Sequence, residues 1–197
     1  MTVVEETYYE EPITWDEAAA SIVFTIFSFN LIAMNKLEDM RTQLDYMILR
    51  NVGMQPDPHM LGLAEDDWME PEEMSDFWKM LAAVTRAAAG DAKIEFFGIN
   101  PERALDAENM EKMVNQVAGL VTRKQRDYGC DNIMRFGRLG LLVRVHDKIA
   151  RLENLAARGT QPNNESIVDN YLDVIGYCIV AMMFERGWFT LPLQETK

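Results

Sequence analysis

Cysteine and histidine are scarce in this chain, two of each in 197 residues, and that scarcity excludes several kinds of protein. Cys130 and Cys178 cannot build a disulfide framework, and no Cys/His pair has zinc-ligand spacing. A reduced, intracellular setting is the expectation. Neither His59 nor His146 sits in a ligand constellation, so both are assigned surface or packing roles. Basic residues are also few, 19 Lys+Arg against 32 Asp+Glu, for a formal charge of −13. Wrapping duplex DNA or lying on an anionic membrane needs a cationic face, so neither is expected. Glycine loops of the P-loop or dinucleotide type are missing, as are repeats and low-complexity tracts. The N-terminal residues MTVVEETYYEEP have no cationic start, so no secretory or organelle signal is read there.

What remains is a chain with 48% apolar residues, long enough for one globular domain or one domain with an embellishment. Its charge is unevenly spread. Residues 1–80 carry 17 acids and 4 bases, whereas residues 119–161 carry 4 acids and 9 bases. An acid excess therefore belongs to the N-terminal part, and one later segment has the opposite sign.

Residues 18–35 form an uncharged run whose length reaches the lower end of the membrane-spanning range of ~17–25 residues. Ser21, Thr25, Ser28, Asn30 and Asn35 inside it, and acids before it, argue against a span. Thr14-Trp15-Asp16-Glu17 is a capping box and predicts a helix start. An apolar seam then runs Ile22, Ile26, Phe29, Ala33, Leu37, Met40, Leu44 and Met47. One helix through Arg50 would be on the order of 50 Å long, so it either breaks or forms a long bundle helix. Such a seam is core or a self-association face, and a homo-oligomer, dimer or higher, is expected.

Residues 51–71 read as an acidic loop. Pro71 opens a second helix with Phe77, Leu81, Val84 and Ala88 inward, and Gly90 stops it. Residues 93–99 are either a short strand or an irregular link. A third helix carries Met110, Met113, Val117 and Val121 and stops at Gly129. A fourth runs from about Leu139 to Ala157. Pro162, Asn163 and Asn164 then break the chain and cap a last helix from Glu165 to about Phe184. The fold class is all-α, a bundle of about five main helices. Residues 1–105 form an acidic helical extension for packing or oligomerisation, and residues 106–190 form the functional core, the two making one compact unit.

The last helix carries the chemistry. From Tyr171 to Phe184 its only charge is Asp173, and a buried carboxylate without a partner costs several kcal/mol. Asp173 should therefore face a metal or a cation. Glu165, Asp169 and Asp173 rise along one face at i, i+4 and i+8, an arrangement that can present oxygens to Mg²⁺. Acids at a helix N-terminus also merely complement its dipole, an alternative that holds for Glu165 and Asp169 but not for Asp173. On the preceding helix Arg144, Asp147, Lys148 and Arg151 share a face, with Asn154 close by. The short connection makes the two helices antiparallel neighbours, so carboxylates and cations would meet around a magnesium-bound polyphosphate.

The run Lys124-Gln125-Arg126-Asp127-Tyr128-Gly129, then Asn132-Ile133, Phe136-Gly137, Gly140, Val143-Arg144, Asp147-Lys148, Arg151-Leu152, Asn154-Leu155, Asn164-Glu165-Ser166, Asp169 and Asp173, resembles a known family. It is similar to the phage and bacterial nucleotide-modification-associated domain, a relative of the MazG-like all-α nucleoside triphosphate pyrophosphohydrolases, over about residues 108–186. That resemblance implies a helical bundle that binds Mg²⁺ and a small nucleotide, in the cytoplasm, the host's if the chain is phage-encoded. Asp147, Asp169 and Asp173, with Glu165, would hold the metal and activate water for attack at the α-phosphorus. Lys124, Arg144, Lys148 and Arg151 would neutralise the phosphates, while Tyr128 and Asn132 would contact base or ribose.

The chain departs from the E-E-x-x-E and E-x-x-D helices of the MazG-like enzymes. Asp147-Lys148 and Arg151 stand where the first would be, and Asn170 stands three residues before Asp173. A Mg²⁺-dependent (deoxy)nucleoside triphosphate pyrophosphohydrolase or modified-nucleotide hydrolase of phage-type nucleotide metabolism is the first expectation. The alternatives are a non-catalytic nucleotide sensor or accessory protein, and an acidic helical interaction protein that mimics nucleic acid.

Overall fold

The computed structural model describes residues 11–29, 36–63, 69–102, 106–159 and 166–195. Among them are seven α-helices and no strand: α1 (Trp15–Ser28), α2 (Leu37–Asn51), α3 (Met74–Asp91), α4 (Ala107–Tyr128), the single turn α5 (Asp131–Met134), α6 (Gly137–Arg158) and α7 (Ile167–Glu185). The all-α bundle is as expected, with six long helices where five were read, because the first predicted helix is two.

The Thr14 capping box forms: Glu17 donates its amide to Thr14 Oγ1 at 3.3 Å, and Glu17 Oε2 accepts the Thr14 amide at 3.2 Å. The end of α1 is decided from outside. Arg86 of α3, buried to 4% exposure, reaches across and donates to the carbonyls of Phe27 (2.6 Å), Phe29 (3.0 Å) and Ile26 (3.5 Å). A cation placed on the last carbonyls of a helix satisfies groups that have no intrahelical partner and complements the dipole. Burial lowers the Arg86 pKa, against the opposing pull of Glu102. At 14 residues α1 is about 21 Å long, too short for a hydrocarbon core of ~30 Å. Part of the uncharged run, residues 30–35, lies outside the described residues.

On both sides of this break the seam faces inward: Ile22, Ile26, Met40, Leu44 and Met47 are all buried in the chain's own core. Phe29 and Leu37 of the same seam are half-buried, and Ala33 lies outside the described residues. Among the described residues, the helix long and apolar enough to cross a membrane is α7, with a mean hydropathy of 1.5. It is the central helix, packed against α3, α6 and α1, with Val174, Ile175, Cys178, Ile179 and Met183 fully buried. Each such aliphatic side chain contributes roughly 1.5–3 kcal/mol on burial.

Helices from both ends of the chain interleave: α1 packs on α4, α2 on α6, and α3 on α7. Residues 93–99 are neither strand nor open link. Phe96 and Ile99 exchange backbone hydrogen bonds of 2.8 and 3.0 Å across Phe97 and Gly98, whose φ values are 55° and 76°. Positive φ at both central residues is the signature of a type I′ turn. Asp106 caps α4 as its side chain accepts the Asn109 amide at 2.8 Å, and Gly129 ends α4 at φ 65°, ψ −169°, a region open to glycine. Helix α7 is capped by Ser166, one residue inside the predicted start; Glu165, Asn163, Asn164 and Pro162 lie outside the described residues.

Candidate functional site

Helices α6 and α7 are antiparallel neighbours. Arg138 at the start of α6 makes a two-pronged ion pair with Glu185 at the end of α7, at 2.8 and 2.6 Å. Halfway along, Lys148 meets Asp173 Oδ2 at 2.7 Å. From α4, Lys124 donates to the other oxygen, Oδ1. Asp173 is 16% exposed, so the requirement for a neighbouring cation is met twice over by lysines. Burial alone would raise its pKa, but the hydrogen bonds from Lys124 and Lys148 outweigh that, and the carboxyl titrates below its ordinary range.

These three side chains stand in a pocket of about 290 Å³ between α4, α6 and α7, closed at one end by α5 and the C-terminal segment. Arg144 enters one turn before Lys148 and has no carboxylate partner among the described residues. Among the described residues that line it, three cations stand against one carboxylate, in a protein of charge −13. Its remaining surface is apolar or amide-bearing: Val121, Gly176, Val180 and Phe189, with Gln125 and Asn132. Tyr128 stands at its rim, 68% exposed. Gln125 donates to Cys130 Sγ at 3.1 Å, and Cys130 lies 3.7 Å from the Phe189 carbonyl, which ties the turn after α4 to the C-terminal segment.

Of the residues singled out from sequence, Lys124, Tyr128, Asn132, Arg144, Lys148 and Asp173 come together in this pocket. Four others do not line it. Asp169 is exposed and used locally: its Oδ2 accepts from the Ser166 amide (3.2 Å) and hydroxyl (2.8 Å) in the capping box of α7. Asp147 and Asn154 are exposed on α6, and Arg151 lies one turn beyond Lys148. Glu165 lies outside the described residues. No group of three or more His, Cys, Asp or Glu side chains that could hold a metal occurs among the described residues. His146 pairs with Asp45 of α2 at 3.1 Å, a packing role.

Gln125, Gly176, Tyr177 and Phe189 line the pocket without having been chosen. Gln125 stands in the run that carries the family resemblance, Tyr177 extends the stripe of Asp169 and Asp173, and Gly176 interrupts an apolar helix, whereas Phe189 had no local signal.

Together these features define a helical-bundle protein with a cationic pocket of about 290 Å³. Residues 124–184 match the family model described as nucleotide modification associated domain 1, under a third of the chain but including every pocket residue from Lys124 to Val180. Neither the comparison with curated proteins nor that with solved structures gives a match.

Proposed function

We propose that the protein binds a nucleoside phosphate in the pocket between α4, α6 and α7 and serves nucleotide modification by that binding. The observation that carries this reading is the convergence of Lys124 and Lys148 on one largely buried carboxylate, with Arg144 beside them. Flexible ammonium groups and a guanidinium fork are the side chains that recognise phosphate. Asp173 holds the two lysines in place until phosphate oxygens take over their charge. The match to the nucleotide-modification model supports the ligand class.

Among the described residues, the members of the expected carboxylate set other than Glu165 fit a magnesium centre poorly. Mg²⁺ takes oxygen ligands in near-octahedral array, usually one or two carboxylates with substrate phosphates. Asp173 is neutralised by two ammonium groups, Asp169 closes a helix cap, and Asp147 stands outside the pocket. In this reading Mg²⁺ arrives with the nucleotide, as the counter-ion of its phosphates.

A second reading is the Mg²⁺-dependent pyrophosphohydrolase of the MazG-like resemblance. One observation favours it: an aspartate inside a phosphate pocket repels the ligand unless a cation bridges the two. Thermal-shift measurements with the four deoxynucleoside triphosphates, with and without Mg²⁺, test the first reading. A ligand at 100 Kd stabilises by ~2.7 kcal/mol, and Lys124→Ala with Lys148→Ala should abolish the shift. No shift with any nucleotide would refute it. Pyrophosphate release that disappears in Asp173→Asn would select the hydrolase.

A further inference from the structure

We propose, building on the nucleotide reading above, that Gly176 determines which phosphates the pocket accepts, by leaving a bare patch of α7 backbone against which a planar nucleobase lies. Glycine inside a helix weakens it relative to alanine, so its presence needs a reason. For two other helical glycines the reason is packing. A Cβ at Gly90 would stand 2.5 Å from Glu102 Cβ, and one at Gly140 would stand 2.7 Å from Phe136 Cβ. At Gly119, outside the pocket, the nearest atom would be the tip of Arg123 at 3.4 Å. At Gly176 the nearest atom would be Val121 Cγ2 at 3.8 Å, an ordinary contact, and the backbone is helical. Neither packing nor backbone conformation requires glycine there.

What a methyl group at Gly176 would do is enter the pocket. Gly176 lies on the pocket wall about one turn along α7 from Asp173, on the order of 5 Å from where the cations converge. A nucleotide with its phosphates on Lys124, Lys148 and Arg144 carries its flat heterocycle past this point. Val121 and Val180 supply apolar surface for the ring faces. At the α5 end of the pocket stands Asn132, whose Oδ1 is buried without a hydrogen-bond partner. An unanswered acceptor is costly, and a turn of the amide offers it to an N–H on the base edge.

The test compares Gly176→Ala with the wild-type full chain, using calorimetric titration with each of the four deoxynucleoside triphosphates and with inorganic tripolyphosphate, which has no base. The variant is expected to melt at the wild-type temperature or higher. Its nucleotide affinity should fall at least tenfold while tripolyphosphate binding stays unchanged. Equal nucleotide affinity in variant and wild type overturns the proposal and leaves the nucleotide reading intact. Equal losses for nucleotide and tripolyphosphate also overturn it, because the effect would then not lie at the base. A lower melting temperature in Gly176→Ala shows that packing does need the glycine, and overturns it too. If the wild type binds tripolyphosphate but no nucleotide, the nucleotide reading itself fails and this inference with it.

Discussion

Replacing Asp173 by Asn perturbs the pocket in two opposite senses. In the ligand-free protein the carboxylate accepts from Lys148 at 2.7 Å, with side-chain exposures of 16% and 19%. A charge-assisted hydrogen bond so sheltered contributes roughly 1.5–3 kcal/mol. The Lys124 pair, with the lysine 46% exposed, adds only the ~0–1 kcal/mol of a solvent-facing ion pair. Asn keeps the shape and one acceptor oxygen, so the expected loss is about 2 kcal/mol, a fall in Tm of ~4–8 °C for a chain of this size. Binding should move the other way. A carboxylate and a phosphate charge ~5 Å apart repel by ~3 kcal/mol at an effective dielectric constant of about 20. Looser lysines give back about 1 kcal/mol in ordering entropy. The net gain of roughly 2 kcal/mol is a tightening of more than tenfold for a deoxynucleoside triphosphate, measured by titration calorimetry at fixed ionic strength. The pH dependence has a fixed sign. Because the folded-state carboxyl titrates below 3.8, its stabilisation is present above that value and is lost as pH falls through the folded pKa. The Tm gap between wild type and variant should therefore close below about pH 4. Weaker nucleotide binding by Asp173→Asn, above all weakening confined to Mg²⁺-containing buffer, would refute the electrostatic reasoning and make Asp173 a group that holds metal or ligand.

Arg86→Met should lower stability by roughly 2–4 kcal/mol, since it leaves the carbonyls of Ile26, Phe27 and Phe29 without their donor; chemical denaturation followed by circular dichroism measures it, and a wild-type midpoint would show that α1 ends for another reason. Asp169→Ala removes a capping-box partner and should cost ~1 kcal/mol while leaving nucleotide affinity unchanged, whereas a large affinity loss would move Asp169 into the site. Burial pushes the Cys178 thiol pKa far up, so in the folded protein an alkylating reagent should modify the partly exposed Cys130 first and reach Cys178 only on unfolding; equal rates by mass spectrometry would contradict the packing of α7.

Much of the bundle was readable from the chain itself. The helix start at Thr14, the stop at Gly129 and the inward faces of α3 and α4 are encoded in residues at most a turn or two apart. The demand of Asp173 for a cationic neighbour was legible too, because one charge in an otherwise apolar helix has to be balanced. Other features depend on residues far apart in the chain. The seam from Ile22 to Met47 is long enough to suggest a break but does not place it, and Arg86 fixes its position from some sixty residues away. Asp169 and Asp173 stand one turn apart and are equivalent to periodicity, yet one turns back to Ser166 and the other forward to Lys124 and Lys148. Phe189 reaches the pocket because the C-terminal segment crosses α1, where Pro192 accepts the Trp15 amide at 2.8 Å. By itself, then, the sequence determined the helices, their buried faces and the cations and carboxylate of the site, since short-range hydrogen bonds and a 3.6-residue period specify these. Only the tertiary structure decided which carboxylate meets which cation and where a ligand finds room, because those depend on how helices distant in sequence cross.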